Sequence, residues 1–240
     1  SITNRLPVSE LIMQRIPQTL VLMVTAEVVI IVLSALLGIY SAVKQYSLFD
    51  NVLTGLSFIG FSLPIFFIAL TLMFIFAVQF KVWGLPYLPT GADVWDFKDP
   101  YELILHLVLP VASLAIIQVA GYTRYLRSSM LEVLSQDYIR TARAKGLVEQ
   151  AVVVRHALRN AALPLVTLIG LDAPALLAGA IVTETVYSWP GMGRLFWQQA
   201  GRGDYPTVMA ILLIVSTAVV FFQIVTDFVY TLIDPRIRLS

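Results

Sequence analysis

The stretch Gln18–Val43, QTLVLMVTAEVVIIVLSALLGIYSAV, contains a single charged residue, Glu27. A helix rises about 1.5 Å per residue, so about 20 apolar residues cross the ~30 Å hydrocarbon layer of a bilayer. A soluble helix of this length would carry a polar stripe. The run therefore reads as a membrane span, and four others follow at about 52–80, 103–125, 163–183 and 207–230. The second is long and contains Pro64, which predicts a tilt or bend and one lost helix hydrogen bond. The expected fold is an all-α, polytopic helical bundle in the membrane, one transmembrane domain over residues 1–240.

Composition agrees. Of 240 residues, 58% are hydrophobic and 13% charged, against about 25% charged in a typical soluble domain. A net charge of +1 points to no nucleic-acid partner, and the absence of cysteine removes disulfides and thiolate metal sites. The two histidines, His106 and His156, are far apart in sequence, and no metal site is expected. Without a Gly-Lys dipeptide the chain has no phosphate loop of the Walker A kind, so ATP hydrolysis is not expected of it. His-Glu-x-x-His and Gly-x-Ser-x-Gly are also missing, which argues against an embedded hydrolase.

Lysine and arginine set the orientation. Lys44, Arg124, Arg127, Arg140, Arg143, Lys145, Arg155, Arg159, Arg236 and Arg238 fall on one side of the five spans; Arg5, Arg15, Lys81, Lys98, Arg194 and Arg202 fall on the other. The side with ten is predicted to be cytoplasmic. The chain then starts outside with no signal-peptide pattern, and an additional spanning helix is expected ahead of this sequence. Trp83, Tyr87, Trp95 and Phe97 in one outer connection suit the membrane interface.

The segment 124–162 is the most polar part, with seven Lys/Arg and three Asp/Glu. It keeps Leu131, Leu134, Tyr138, Ile139 and Ala142, then Val152, Val153, Ala157 and Leu158, at helical spacing, with Gly146 between the two groups. Two short amphipathic helices at the cytoplasmic face are predicted, the glycine ending one or admitting a neighbouring backbone. On charge alone, a solvated basic loop fits as well.

The residues themselves decide between these. Tyr138-Ile139-Arg140-Thr141-Ala142-Arg143-Ala144-Lys145-Gly146-Leu147 resembles the cytoplasmic coupling motif of binding-protein-dependent ABC importer permeases, in the oligopeptide/dipeptide/nickel branch. Of the general Glu-Ala-Ala-x-x-x-Gly form, Ala142 and Gly146 match, while Arg140 and Thr141 depart as in the peptide branch. Arg155-His156-Ala157-Leu158-Arg159-Asn160-Ala161 and Leu163-Pro164 are similar to the same branch. So are Glu184-Thr185-Val186-Tyr187-Ser188-Trp189-Pro190-Gly191-Met192-Gly193-Arg194, then Asp204-Tyr205-Pro206, Asp227 and Asp234-Pro235-Arg236-Ile237-Arg238. The resemblance runs from about Arg15 to the end.

It implies a type I ABC importer transmembrane domain whose coupling helix docks on an ATPase. It also implies a second homologous permease subunit, two cytoplasmic ATPase subunits that hold ATP and Mg, and an external solute-binding protein. The chain itself would bind no cofactor. Peptides are the expected solute, and a prokaryotic cytoplasmic membrane the expected location. Tyr138, Arg140, Thr141, Ala142, Arg143, Ala144, Lys145, Gly146 and Leu147 are the expected ATPase-coupling residues. Small side chains at 142, 144 and 146 would sit in a groove, and Arg140, Arg143 and Lys145 would meet acidic groups on the partner.

Ionisable residues at membrane depth are costly and point to function. Glu27 and Asp172 are therefore candidates for the translocation path, or for pairing with a polar group on a neighbouring helix. They also keep open an alternative, a secondary transporter or channel, which would need no docking segment. Gly55, Ser57, Gly60, Ser62 and Pro64, with Gly170, Ala173, Ala175, Ala178 and Gly179, are expected to permit close helix packing.

Overall fold

The computed structural model describes residues 1–3, 5–91 and 99–233, apart from the side chains of 171–179, 227 and 229–233. Trp95, Phe97 and the Asp234–Arg238 motif thus lie outside the described residues, as do the side chains of Asp172 and Asp227. In chain order the helices are α1 (Val8–Met13), α2 (Ile16–Val43), α3 (Leu48–Ser62), α4 (Ile65–Val82) and α5 (Pro100–Leu134). Then come α6 (Asp137–Ala144), α7 (Glu149–Ala161), α8 (Leu163–Val186), α9 (Met192–Gly201) and α10 (Tyr205–Ile233). Among the described residues four stretches are long and apolar enough to cross a membrane. A fifth follows if α7 and the start of α8, bent by 45°, count as one span.

Three boundaries differ from the sequence reading. The second span is broken at Leu63–Pro64, and Pro64 sits at the N-cap of α4 with extended backbone, φ −63° and ψ 143°. No mid-helix hydrogen bond is lost there, because a proline at a helix start replaces an N–H that has no helical partner anyway. The third span does not end at Tyr125 but continues as α5 to Leu134, with Pro110 inside it. Glu184, expected in a loop, belongs to the last turn of α8.

The chain packs as two compact units: 1–29, 63–116 and 173–220 in the first, and 30–62, 117–172 and 221–240 in the second. Among the described residues, the second contains Lys44, Arg124, Arg127, Arg140, Arg143, Lys145, Arg155 and Arg159, all assigned to the cytoplasmic side, and the first contains Arg5, Arg15, Lys81, Arg194 and Arg202 of the other set.

In the first unit, a buried carboxylate organises the ends of three helices. Glu184 is fully buried. Its Oε1 accepts from Thr19 Oγ1 of α2 at 2.7 Å, and its Oε2 accepts from the Arg194 backbone N–H of α9 at 2.9 Å. Thr19 Oγ1 in turn accepts from the Met192 N–H at 2.7 Å. The acid thus meets first-turn amides of α9, where unpaired donors and the helix dipole favour negative charge.

This explains the glycines around it. A Cβ on Gly191 would lie 2.1 Å from Glu184 Oε1, and one on Gly193 would lie 2.7 Å from Ile181 Cα. Trp189, buried beside them, donates from Nε1 to the Gln18 carbonyl at 2.9 Å. Below this, Ile12, Met192, Leu195 and Ile211 form one apolar cluster, and Ala69, Ala77, Leu109 and Tyr187 another. The Tyr187 hydroxyl donates to the Ala69 carbonyl at 2.9 Å.

In the second unit the corresponding anchor is Asp50, 2% exposed at the start of α3. Arg127 of α5 grips it with two parallel bonds, Nε to Oδ1 at 2.6 Å and Nη2 to Oδ2 at 2.7 Å. Ser41 of α2 donates to it as well, and so does the Tyr46 N–H at 2.9 Å. Arg127 donation holds this carboxyl well below the usual carboxylate range, with Ser41 and Tyr46 adding to the effect against burial. Small residues bring the helices close. A Cβ on Gly38 of α2 would meet the Thr123 carbonyl of α5 at 3.1 Å, and one on Gly170 of α8 would overlap Thr226 of α10 at 2.0 Å. Gly55, expected to serve the same purpose, has open space beside it.

Two predictions follow from these anchors. Asp50→Asn leaves Arg127 half-buried without its counter-charge and is expected to cost about 3 kcal/mol, the range for breaking a buried pair, read as a lower melting temperature in detergent. The depressed carboxyl also fixes a sign. Stability from the pair is complete above the ordinary aspartate range and is lost progressively as pH falls through and below that range, because the unfolded chain then takes up a proton that the folded carboxylate does not. The loss is complete once the folded group also protonates, so wild type should outlast Asp50→Asn most clearly above about pH 5, and the margin should shrink as pH falls below that. Separately, Gly191→Ala should destabilise more than Gly55→Ala, because only the former drives a methyl into Glu184.

Candidate functional site

The polar segment folds as α6 and α7 within the second unit. α6 is short, and its apolar residues Ile139 and Ala142 are buried against the rest of the unit. Val152, Val153, Ala157 and Ala161 of α7 are buried likewise. Two short helices thus follow α5, packed through Ile139 and Ala142 and through Val152, Val153 and Ala157, whereas Leu131 and Leu134 of the expected set belong to α5 and Tyr138 is exposed.

Gly146 ends α6. Its φ is +78°, a left-handed conformation that costs an L side chain free energy. The Gly146 N–H donates to the Arg143 carbonyl at 2.9 Å, and the Leu147 N–H reaches back to the Ala142 carbonyl at 3.4 Å. These two bonds form a Schellman ending, which satisfies carbonyls that would otherwise lack partners. A Cβ on Gly146 would meet nothing within 4 Å. Within this chain the glycine therefore serves the turn.

The site residues divide into an inner and an outer set. Ala142 is buried, so it does not present a small side chain to an outside partner. Arg143 is held inside the segment: its Nε and Nη2 donate to Glu149 at 3.0 and 2.6 Å, which ties the end of α6 to the start of α7. This pairing raises the Arg143 pKa and lowers that of Glu149. Arg140 makes a looser contact with Asp137 at 3.4 Å, both strongly exposed. Tyr138, Thr141, Ala144, Lys145, Gly146 and Leu147 form the outward surface with Arg140. Tyr138 is tied to α7 through its hydroxyl, which accepts from Asn160 Nδ2 at 3.1 Å. Next to this surface, Val148, Gln150, Ala151, Val154, Arg155 and Arg159 line an open groove.

The result is a small, pre-shaped knob. Its tip is a tight turn with exposed Leu147 and Val148, its flank is cationic, and its base is cross-linked by Arg143–Glu149. Such a shape fits docking by insertion, with charge steering the approach.

The model of one protein family, the binding-protein-dependent transport system inner membrane component, matches residues 34–239. The chain belongs to this family. It is 43% identical over 235 residues to the oligopeptide transport system permease protein AppB of Bacillus subtilis, covering 97% of this chain and 72% of that one. It is 40% identical over 256 residues to the dipeptide transport system permease protein DppB of Escherichia coli K12, covering 99% and 76%. Among solved structures, the inward-facing MetNI methionine ABC transporter has a TM-score of 0.73 at 17% identity, over 95% of this chain and 98% of that one. An amino acid ABC transporter solved with histidines has a TM-score of 0.61 at 14% identity, over 95% of both chains. These structures share the fold, a type I importer transmembrane domain. The permease is thus an inner-membrane component of an ABC importer.

The remaining sequence candidates are placed as follows. Glu27 is half-buried in α2, with both carboxylate oxygens shielded from solvent. Asp172 falls among the side chains left undescribed. His106 is half-buried, with Nδ1 2.8 Å from the Glu102 carbonyl, and His156 is half-buried in α7. Among the described residues, no three His, Cys, Asp or Glu side chains gather into a metal-binding group. Asp50 and Glu184 were not legible as anchors. Glu184 lay within a recognised motif, but nothing local says that its carboxylate faces α9.

Gly146→Ala should destabilise the α6 turn by about 1 kcal/mol through its left-handed φ, and Gly146→Asn by less. Hydrogen exchange at the Gly146 and Leu147 amides checks this. Arg143→Met should change global stability by less than about 1 kcal/mol, since the pair with Glu149 is exposed.

Proposed function

We propose that this permease forms half of the translocation path of a peptide importer and couples to its ATPase through the knob around Gly146. The peptide assignment is supported by relatives at 40–44% identity whose names are oligopeptide, dipeptide and peptide permeases. The coupling assignment is carried by one observation: α6 is packed from behind by Ile139 and Ala142 and presents Tyr138, Arg140, Thr141, Ala144, Lys145, Gly146 and Leu147 outward.

In this reading two cytoplasmic ATPase subunits bind ATP and Mg, a second homologous permease completes the path, and an extracytoplasmic solute-binding protein delivers the peptide. ATPase closure would push on α6, and the Arg143–Glu149 clamp would pass that movement to α7 and α8 as a unit. The shielded oxygens of Glu27 support packing rather than solute contact for that residue. Asp172 is proposed for the path on its place near the middle of α8.

The test separates docking from turn chemistry. In the complete transporter, Gly146→Trp should abolish ATPase co-purification or uncouple hydrolysis from uptake. Gly146→Asn, which tolerates the left-handed turn, should retain both. Normal assembly and uptake in the Trp variant would return 124–162 to an ordinary basic loop. Uptake of a labelled dipeptide by the wild-type complex tests the solute; no uptake of any di- or oligopeptide would remove that assignment.

A further inference from the structure

Arg124 occupies a position that the sequence reading counted as the edge of the cytoplasmic segment, yet it lies inside the continuous helix α5. Its guanidinium carbon stands 5.8 Å from the centre of the Phe58 ring and 5.3 Å from that of Phe61, both on α3. A cation within about 6 Å of a ring face is attracted by the ring quadrupole. Phe61 also packs against the bare backbone of Gly121, one turn before Arg124, where a Cβ would stand 3.3 Å from the ring edge.

The depth of this arrangement can be read along α3. Asp50, held by Arg127, marks the start of that helix, on the side predicted from Lys/Arg placement to be cytoplasmic. Phe58 and Phe61 lie 8 and 11 residues further on, about 12 and 16 Å at the helical rise. They sit just before the break at Leu63–Pro64, which divides the 48–82 segment near its middle. The Arg124 guanidinium is thus held over rings about 12–16 Å along α3 from Asp50, where α3 nears its end. Cations at such depth face a bundle interior or a water-filled cavity rather than lipid, and broken helices are where transporters place their solute sites.

Two further features point outward to a ligand. Among the described residues Arg124 has no carboxylate partner, in contrast to Arg127, Arg140 and Arg143. Arg124, Phe58 and Phe61 are all exposed on this chain, so the stacked guanidinium presents free N–H donors to whatever fills that space. A planar fork of donors matches a carboxylate in two-point geometry.

We propose that Arg124, stacked on Phe58 and Phe61, is a subsite in the translocation path that receives the C-terminal carboxylate of the transported peptide. The inference rests on the peptide reading above. It adds a residue and a chemical group to it: the solute is bound through its free α-carboxylate, and the two rings hold the cation in place and meet the apolar part of the terminal residue.

The experiment uses the complete transporter with its binding protein in vesicles. Uptake of a dipeptide is compared with uptake of the same dipeptide carrying a C-terminal carboxamide, in wild type, Arg124→Gln and Arg124→Lys. The affinity of the binding protein for each peptide is measured separately, since the variants do not alter it. Arg124→Gln should lower uptake of the free acid about tenfold, the loss expected for one charged hydrogen-bonding partner, and change the carboxamide less than about twofold. Arg124→Lys should recover part of the free-acid uptake. An equal fall for both peptides, or no fall for either, overturns the proposal and leaves the peptide reading standing. A wild-type complex that imports neither peptide removes both.

Should Arg124→Gln fail to assemble, the absence of cysteine in this chain supplies a second measurement. Arg124→Cys, in a complex whose other subunits are cysteine-free, is exposed to water-soluble thiosulfonates. Labelling is expected, slowed by the free-acid dipeptide and not by the carboxamide, with an aminoethyl reagent restoring uptake and a sulfonatoethyl reagent not doing so. A thiol that no water-soluble reagent reaches would place the residue against lipid or a neighbouring subunit and overturn the proposal.

Discussion

Hydrocarbon offers no water to hydrogen-bond an amide, so each backbone N–H and C=O of a spanning segment must find its partner within the chain. That constraint makes this protein helical. It also concentrates the difficulty at the helix ends, breaks and turns, where carbonyls and amides are left over. The architecture can be understood as a set of answers at those places. Pro64 is placed where a helix begins and no N–H is needed. Gly146 turns left-handed so that the carbonyls of Ala142 and Arg143 are used. Glu184 accepts the Arg194 amide at the start of α9 and is locked by Thr19.

The buried acids have a common logic. A carboxylate taken out of water is costly unless its oxygens are filled. Asp50 receives two bonds from Arg127, one from Ser41 and one from an amide. Asp204, fully buried ahead of α10, accepts from Ser1 and from the amides of Ile2 and Thr3, which holds its pKa down at about 2. Such groups work as fasteners: each joins segments that lie far apart in sequence. Arg124 belongs to a different class, because its neighbours in the chain are rings rather than acids. The contrast with Arg127, one turn away on the same helix, separates a structural cation from one available to a solute.

The knob around Gly146 shows how an outer surface is built from its own interior. Ile139 and Ala142 fix its back, and Arg143–Glu149 fixes its base. Of the residues left facing out, Gly146 holds the turn and Tyr138 is tied to Asn160, while Thr141, Ala144, Lys145 and Leu147 stay exposed on this chain. Gly146 is required by backbone geometry, not by lack of space. The same residue type does the opposite at Gly191 and Gly193, where a carboxylate and a helix backbone occupy the room a side chain would need.

The sequence by itself determined the membrane class, the all-helical fold and the presence of short helices in the polar segment. All of these follow from local composition and periodicity, which water and hydrocarbon read directly. The family too was legible, because the motifs around Gly146 and Trp189 are contiguous. Only the tertiary structure decided which side chains those motifs spend on themselves. It buried Ala142, paired Arg143 with Glu149, made Glu184 the partner of Thr19 and carried α5 past Tyr125 to Leu134. It also set Arg124 over two phenylalanines more than sixty positions earlier in the chain. Those outcomes depend on contacts between residues remote in sequence, and a local pattern holds no information about what will be packed against it.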